Sequence, residues 1–132
     1  MVSDLPRMGE WSPENNGGTW IKGANGPAVG ARFQGANSNG SKSWKTVSVV
    51  KRAERGQIFS FAVAVGPVKV ATWTYRFDSA DGGTRVTETT QDQRSWLAKK
   101  LGGSASGVAD RAAHNRAGME ATLAALAHAA ER

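Results

Sequence analysis

Three side chains carry most of the chemistry this sequence can offer. In TRVTET, Glu88 alternates in phase with Val86 and against Arg85 and Thr87, which puts a carboxylate on the apolar face of a strand. Buried there it would resist ionisation and could act as an acid or base; at a strand end in water it would be an ordinary surface glutamate. Tyr75, in ATWTYRF, adds a hydroxyl to the row it shares with Trp73 and Phe77. Asn115 stands where a helical stripe calls for an apolar residue. A buried amide left unpaired costs about 1–3 kcal/mol, so it needs a ligand or a strand carbonyl unless it faces solvent. Glu88, Tyr75 and Asn115 are therefore the candidate proton-handling groups. His114 and His128 would share a helix face ~21 Å apart, too far to hold one metal ion. Nucleophile elbow, phosphate loop, dinucleotide fingerprint and two-histidine metal motif are all absent from the sequence. GANGP and GGSASG lack the strand-to-helix setting of a phosphate cradle, so no cofactor and no metal is expected.

The elements that must position these groups follow from periodicity. From Gly17 to Asp92 the period is two, and six strands are predicted: GGTWIKGA, AVGARFQGA, KSWKTVSVVKRAE, QIFSFAVAV, KVATWTYRFDS and TRVTETTQD. NGP, NSNGS, RG, Gly66-Pro67 and ADGG punctuate them, so an antiparallel meander is the economical topology. Phe59, Phe61 and Val63 share one face of their strand, against Ile58, Ser60 and Ala62; Trp73, Tyr75 and Phe77 oppose Thr72, Thr74 and Arg76. One face of the sheet is thus wet and the other must be covered. Ahead of the strands, Asp4 and Pro6 start a short helix over Leu5 to Trp11, ended by the turn SPEN; a helix that short must dock on something larger. Behind them, QRSWLAKKLGGSASG reads as a loop. A proline-free, alanine-rich helix then runs from about Ser106, its N-cap, to Arg132, with Asp110 in its early turns. Its stripe is Val108, Ala112, Asn115, Met119, Leu123, Leu126 and Ala130. The internal Gly118 would permit a close approach to the sheet or a slight bend. The fold class is α+β, with a single domain over residues 1–132.

A curved sheet and one long helix enclose either a packed core or a pocket. The stripe is thin for its length, and the rings facing it (Phe33, Phe59, Phe61, Trp73 and Tyr75) can line a wall as well as fill one. Composition bounds the rest: 132 residues, 39% hydrophobic and 21% charged, are globular values. Zero cysteines excludes disulfides and thiolate metal sites and fits a reducing compartment. With no signal-type leader and no apolar run near 18 residues, the sequence reads as cytoplasmic by default. The net charge of +6 is spread over scattered lysines and arginines without a nucleic-acid-binding signature. It reads as a solvated sheet face; binding of an anionic surface or nucleic acid is the alternative, with no specific nucleic-acid partner expected.

VSDLPRMGEWSPE, GPAVGARFQG, ATWTYRFDSADGGTRVTET and NRAGMEATLAALAHAAE, in that order, resemble the START-like (SRPBCC) superfamily in its bacterial polyketide cyclase/dehydrase and lipid-transport branch. The resemblance spans essentially the whole chain. It implies a helix-grip fold, a curved antiparallel sheet gripping the C-terminal helix with a hydrophobic cavity between them. The implied function is binding, or transport, of a hydrophobic or amphipathic small molecule such as a lipid, polyketide or sterol-like compound. Trp11, Phe33, Phe59, Phe61, Trp73, Tyr75, Asn115, Met119 and Leu123 are expected to line the cavity, with Trp96 and the Gly102–Gly107 stretch at its entrance. An enzyme of the polyketide cyclase/dehydrase kind, using Glu88, Tyr75 or Asn115 in the same cavity, is the alternative. The resemblance also implies a strand and most of a helix ahead of Val2. Their absence would reflect a start assigned too far downstream, a shortened chain, or a short form completed by a partner. Either way the first and last strands would be open edges, so that a dimer is as admissible as a monomer.

Overall fold

The computed structural model describes residues 1–100, 108 and 110–132. Six strands, β1 (Asn15–Ile21), β2 (Arg32–Asn39), β3 (Lys42–Glu54), β4 (Ile58–Val65), β5 (Val68–Ala80) and β6 (Gly83–Asp92), form one sheet in sequence order, every neighbouring pair antiparallel. β1 and β6 are its two edges. The hairpins are as tight as the turn residues demand: Asn39 pairs with Lys42, Val65 with Val68, and Ala80 with Gly83. Gly66, at φ 55°, supplies the left-handed residue that the β4–β5 reversal needs. Irregularities in the register between Asn15 and Gly18, between Val50 and Arg52, and between Val63 and Ala64 interrupt the ladders and bend the sheet.

The second strand begins later than the pattern suggested. AVGA is a turn, closed by Ala31 N–H donating to the Ala28 carbonyl at 2.9 Å, with Gly30 at φ 86°. The first strand, by contrast, begins at Asn15 and stops at Ile21, before Lys22 and Gly23 turn the chain with positive φ.

Register makes the faces explicit. Phe59 opposes Tyr75, Phe61 opposes Trp73, Tyr75 opposes Glu88 and Phe77 opposes Val86, so all seven side chains share the concave face. Phe33, Ser48 and Val63 continue that face across β2, β3 and β4. Lys45, Arg52, Arg76 and Arg85 are exposed on the other face. That face is not uniformly wet, however. Ile58 and Ser60, on the central β4, are buried between Glu54 and Arg76 and between Arg52 and Thr74, and the Ser60 and Thr74 hydroxyls bond at 3.0 Å.

A 3-10 helix over Leu5–Glu10 precedes the sheet and does dock. It buries Leu5 and Met8, with Val2 and Trp11 to either side, into one cluster with Phe33, Val50, Phe59, Phe61, Tyr75 and Leu126. Its approach to β1 is close: a Cβ on Gly9 would lie 2.7 Å from the Asn15 carbonyl oxygen. Asp4 occupies the cap position but its side chain makes no capping bond.

The long helix, α1 (Arg111–Ala130), is shorter than predicted, 20 residues or ~30 Å. Asp110 is its N-cap rather than an early-turn residue, and its Oδ1 accepts from Ala113 N–H at 3.0 Å. Ser106, the expected cap, lies outside the described residues. Part of the expected loop is helical: residues 96–100 start at Ser95, whose hydroxyl accepts from Ala98 N–H at 3.2 Å. A serine cap ahead of Trp-Leu-Ala-Lys-Lys, all tolerable or good helix formers, explains the difference.

The inward face of α1 is also turned slightly from the expected stripe. Ala112 and Ala130 are exposed, while Thr122, at 2% exposure, is the most buried residue of the helix. Thr122 tolerates burial because its hydroxyl donates to the Gly118 carbonyl at 2.8 Å.

Candidate functional site

The concave face and α1 enclose a cavity of about 340 Å³ under the N-terminal half of the helix. Its apolar wall includes Phe61, Val63 and Trp73 from the sheet, Met119 from α1, and Met8 from the 3-10 helix. Polar groups converge on it from several elements: Asn37 of β2, Thr46 and Ser48 of β3, Tyr75 and Glu88 of β5 and β6, and His114, Asn115 and Thr122 of α1. Gly118 also lines it, and a Cβ placed there would meet no atom within 4 Å. The glycine therefore leaves cavity space instead of admitting a neighbouring backbone.

Five of the nine residues expected at the wall line this cavity: Phe61, Trp73, Tyr75, Asn115 and Met119. Trp11, Phe33 and Phe59 do not. They belong to the packed cluster with Leu126 and the 3-10 helix, which shares Met8, Phe61 and Tyr75 with the cavity wall. Leu123 is also outside the lining, because the helix presents Thr122 inward at that level. Trp96 is 74% exposed and takes no part in the lining, and Gly102–Gly107 lies outside the described residues.

At the buried end of the cavity, the cross-strand pair Tyr75–Glu88 is a direct product of register. The Tyr75 hydroxyl donates to Glu88 Oε1 at 2.8 Å. Glu88 Oε2 is buried and finds no hydrogen-bond partner among the described residues. Burial pushes the Glu88 carboxyl above the ordinary carboxylate range, against the smaller downward pull of the Tyr75 hydrogen bond. Desolvation first, and the neighbouring carboxylate second, raise the Tyr75 phenol far above its usual value, so it stays a neutral donor.

The outer end of the cavity holds a second cluster, which sequence reading missed. Glu14, in the segment before β1, accepts from Arg111 Nη1 and bonds to His114 Nε2, both at 2.8 Å. Arg111 lies with its guanidinium carbon 5.7 Å from the centre of the Trp44 ring. These residues tie the start of α1 to the opposite side of the cavity mouth. No local pattern announces them, since Glu14 is separated from Arg111 by 97 residues and from His114 by 100. Thr122 and Gly118 were legible in principle: between Asn115 and Leu126 of the chosen stripe, Gly118 and Thr122 keep helical spacing one residue before Met119 and Leu123.

Among the described residues, no group of histidines and carboxylates is placed to hold a metal ion, and no helix is long and apolar enough to cross a membrane. A small, largely apolar chamber with a hydrogen-bonding foot can orient a molecule and exclude water from it.

A six-stranded antiparallel meander closed over a long C-terminal helix is the helix-grip arrangement. Residues 1–131 match the family model described as polyketide cyclase / dehydrase and lipid transport, and the chain belongs to that family. Among solved structures, it is similar to the solution NMR structure of a Polyketide_cyc-like protein from Corynebacterium glutamicum, with 33% identity and a TM-score of 0.51. That match covers 78% of this chain and 63% of the other, so it spans less than two thirds of the Corynebacterium chain. No curated protein gives a significant match.

Proposed function

We propose that this chain binds a compact hydrophobic or amphipathic molecule in the cavity beneath the N-terminal half of α1, as a binding or carrier protein. The observation that carries this reading is the cavity itself: about 340 Å³, walled by Phe61, Val63, Trp73 and Met119, with a few convergent polar groups. Ligand pockets run from about 300 to 1,000 Å³, so this one suits a single ring system or a short single-chain lipid better than a sterol or two-chain lipid. Binding would draw on desolvation of apolar ligand surface at ~25 cal/mol per Å², less ordering costs. The family description, with lipid transport and polyketide chemistry side by side, supports the same class. A cytoplasmic setting accords with a chain that contains no cysteine. Self-association through the open edges of β1 and β6 is the corresponding expectation for the oligomer, to be read by sedimentation.

The test is native mass spectrometry of the purified protein together with uptake of the solvatochromic naphthyl ketone Prodan. A co-purified small molecule or saturable blue-shifted Prodan emission, diminished by Gly118→Leu, is expected. The absence of both a retained molecule and saturable uptake would overturn the reading.

Glu88 gives specific support to a second reading, an enzyme of the polyketide cyclase/dehydrase kind. A carboxyl group whose pKa burial raises, hydrogen-bonded to Tyr75 in an apolar chamber, can donate a proton to a carbonyl oxygen when protonated or remove one beside it when ionised. On that reading, Glu88→Gln abolishes turnover of a poly-β-ketone substrate while affinity is nearly kept. Unchanged turnover removes Glu88 from the mechanism.

A further inference from the structure

The cavity's buried end has an unusual hydrogen-bond balance, and it restricts what can sit there. Glu88 is 9% exposed, its Oε1 is occupied by the Tyr75 hydroxyl, and its Oε2 has no partner among the described residues. Two other hydroxyl hydrogens of the lining are already committed, while Ser12, Thr46 and Ser48 also bring hydroxyls to it. Tyr75 donates to Glu88, and Thr122 donates to the Gly118 carbonyl. Further out, the Asn37 amide donates to Thr46 Oγ1 at 3.2 Å. The surrounding wall of Phe61, Val63, Trp73 and Met119 supplies neither donor nor acceptor through its side chains beyond the Trp73 indole N–H and the weakly accepting Met119 sulfur.

We infer that the buried end of the cavity selects a neutral ligand bearing a carbonyl- or ether-type oxygen, which accepts a hydrogen bond from a protonated Glu88 through Oε2. This rests on the cavity-binding reading and narrows it from hydrophobic molecules in general to neutral acceptor-bearing ones. With Oε1 accepting from Tyr75, the proton of the neutral acid belongs on Oε2, and a buried donor without an acceptor is an unmet demand. A ligand oxygen meets it; an alkyl group leaves it unmet. A ligand carboxylate fares worse, because the Arg111 guanidinium is at the outer end and, with the His114 ring, already shares Glu14. At the buried end an anion would face a carboxyl group and, among the described residues, no cation.

The proposal has a pH signature. Burial raises the Glu88 pKa, so the proton is held at low pH and lost as pH rises through that value. Acceptor binding must weaken over the same range. The titratable or charged groups facing the cavity are Tyr75 on β5, His114 on α1 and Glu14 in the segment before β1, with Arg111 bonded to the last.

Calorimetric titration with 2-acetylnaphthalene, 2-ethylnaphthalene and 2-naphthoate at pH 5 and pH 9 tests it. The wild-type chain should bind the ketone about tenfold more tightly than the ethyl compound at pH 5, the scale of one buried hydrogen bond, and lose that advantage at pH 9. Naphthoate should bind more weakly than the ketone at both. Glu88→Gln, which keeps an N–H donor of the same shape, should retain the ketone preference at both pH values; Glu88→Leu should abolish it at both. The inference is overturned if ketone and ethyl compound bind alike throughout, or if the pH response survives Glu88→Gln and disappears in His114→Gln. If none of the three binds, the cavity-binding reading falls as well, which separates the two failures.

Discussion

The two ends of the space between sheet and helix use similar residues to opposite effect. Beneath Leu126, the rings of Phe33 and Phe59 meet the 3-10 helix residues Leu5 and Met8 and the flanking Trp11, and the volume closes to a packed core. Beneath Asn115 to Thr122, the rings of Phe61 and Trp73 face a helix stretch carrying glycine, alanine and asparagine, and about 340 Å³ stays open. Sheet curvature alone does not decide between core and cavity. What decides is whether an extra element supplies side chains to fill the concave face, and the 3-10 helix reaches only one end with most of its bulk.

That contrast breaks most visibly at the packed end. Phe59→Ala should cost about 3–5 kcal/mol, read as a lowered denaturant midpoint, because the ring is 3% exposed and its site cannot collapse freely. Trp73→Ala, at the hollow end, should cost clearly less and act mainly on ligand uptake, since one side of that ring faces open space. Equal losses for the two substitutions would erase the distinction.

Glu88 gives the next effect. Its pKa is raised in the folded chain relative to the unfolded one. The folded state therefore binds the proton more tightly, and this contribution to stability is full below the unfolded carboxylate range. It is lost as pH rises through the folded value, at up to about 1.4 kcal/mol per pH unit. Glu88→Gln should remove that decline and be the more stable form at pH 8. A wild-type chain whose urea midpoint rises with pH over this window, owing to Glu88, would contradict the burial argument.

Gly118→Leu sharpens the comparison from the other side. Leucine removes the helix penalty of glycine, roughly 0.8–1.0 kcal/mol relative to alanine, and its side chain projects into the empty space. Thermal stability should be unchanged or slightly higher while Prodan uptake falls at least tenfold. The smallest effect belongs to the mouth. Glu14→Gln weakens the links to Arg111 and His114, and with those side chains partly exposed the loss should be about 1 kcal/mol and diminish in high salt.

The strands and their faces were legible because period-two alternation in QIFSFAV, ATWTYRF and TRVTET is strong, and the Asn-Gly and Gly-Pro turns hold register. That was enough to bring Tyr75 and Glu88 to one face, though their direct opposition required the hairpin register. The helix was read less well. Alanine occurs so often between Arg111 and Ala130 that hydrophobicity scarcely distinguishes one face from the next, and Thr122 was passed over for Leu123. Nor could the sequence separate rings that line from rings that fill. Phe59 and Phe61 have the same pattern and both join the packed cluster, yet Phe61 also lines the cavity and Phe59 does not. The Glu14, Arg111 and His114 cluster is wholly tertiary.

The most direct test of a hollow end beside a packed one is NMR of methyl-labelled protein with 2-acetylnaphthalene. Intermolecular NOEs should connect the ligand to the methyls of Met8, Val63 and Met119, with none to Val50 or Leu126. A saturated complex showing no NOEs to Met119 and Val63, or equal contact with Leu126 and Val50, would contradict the account.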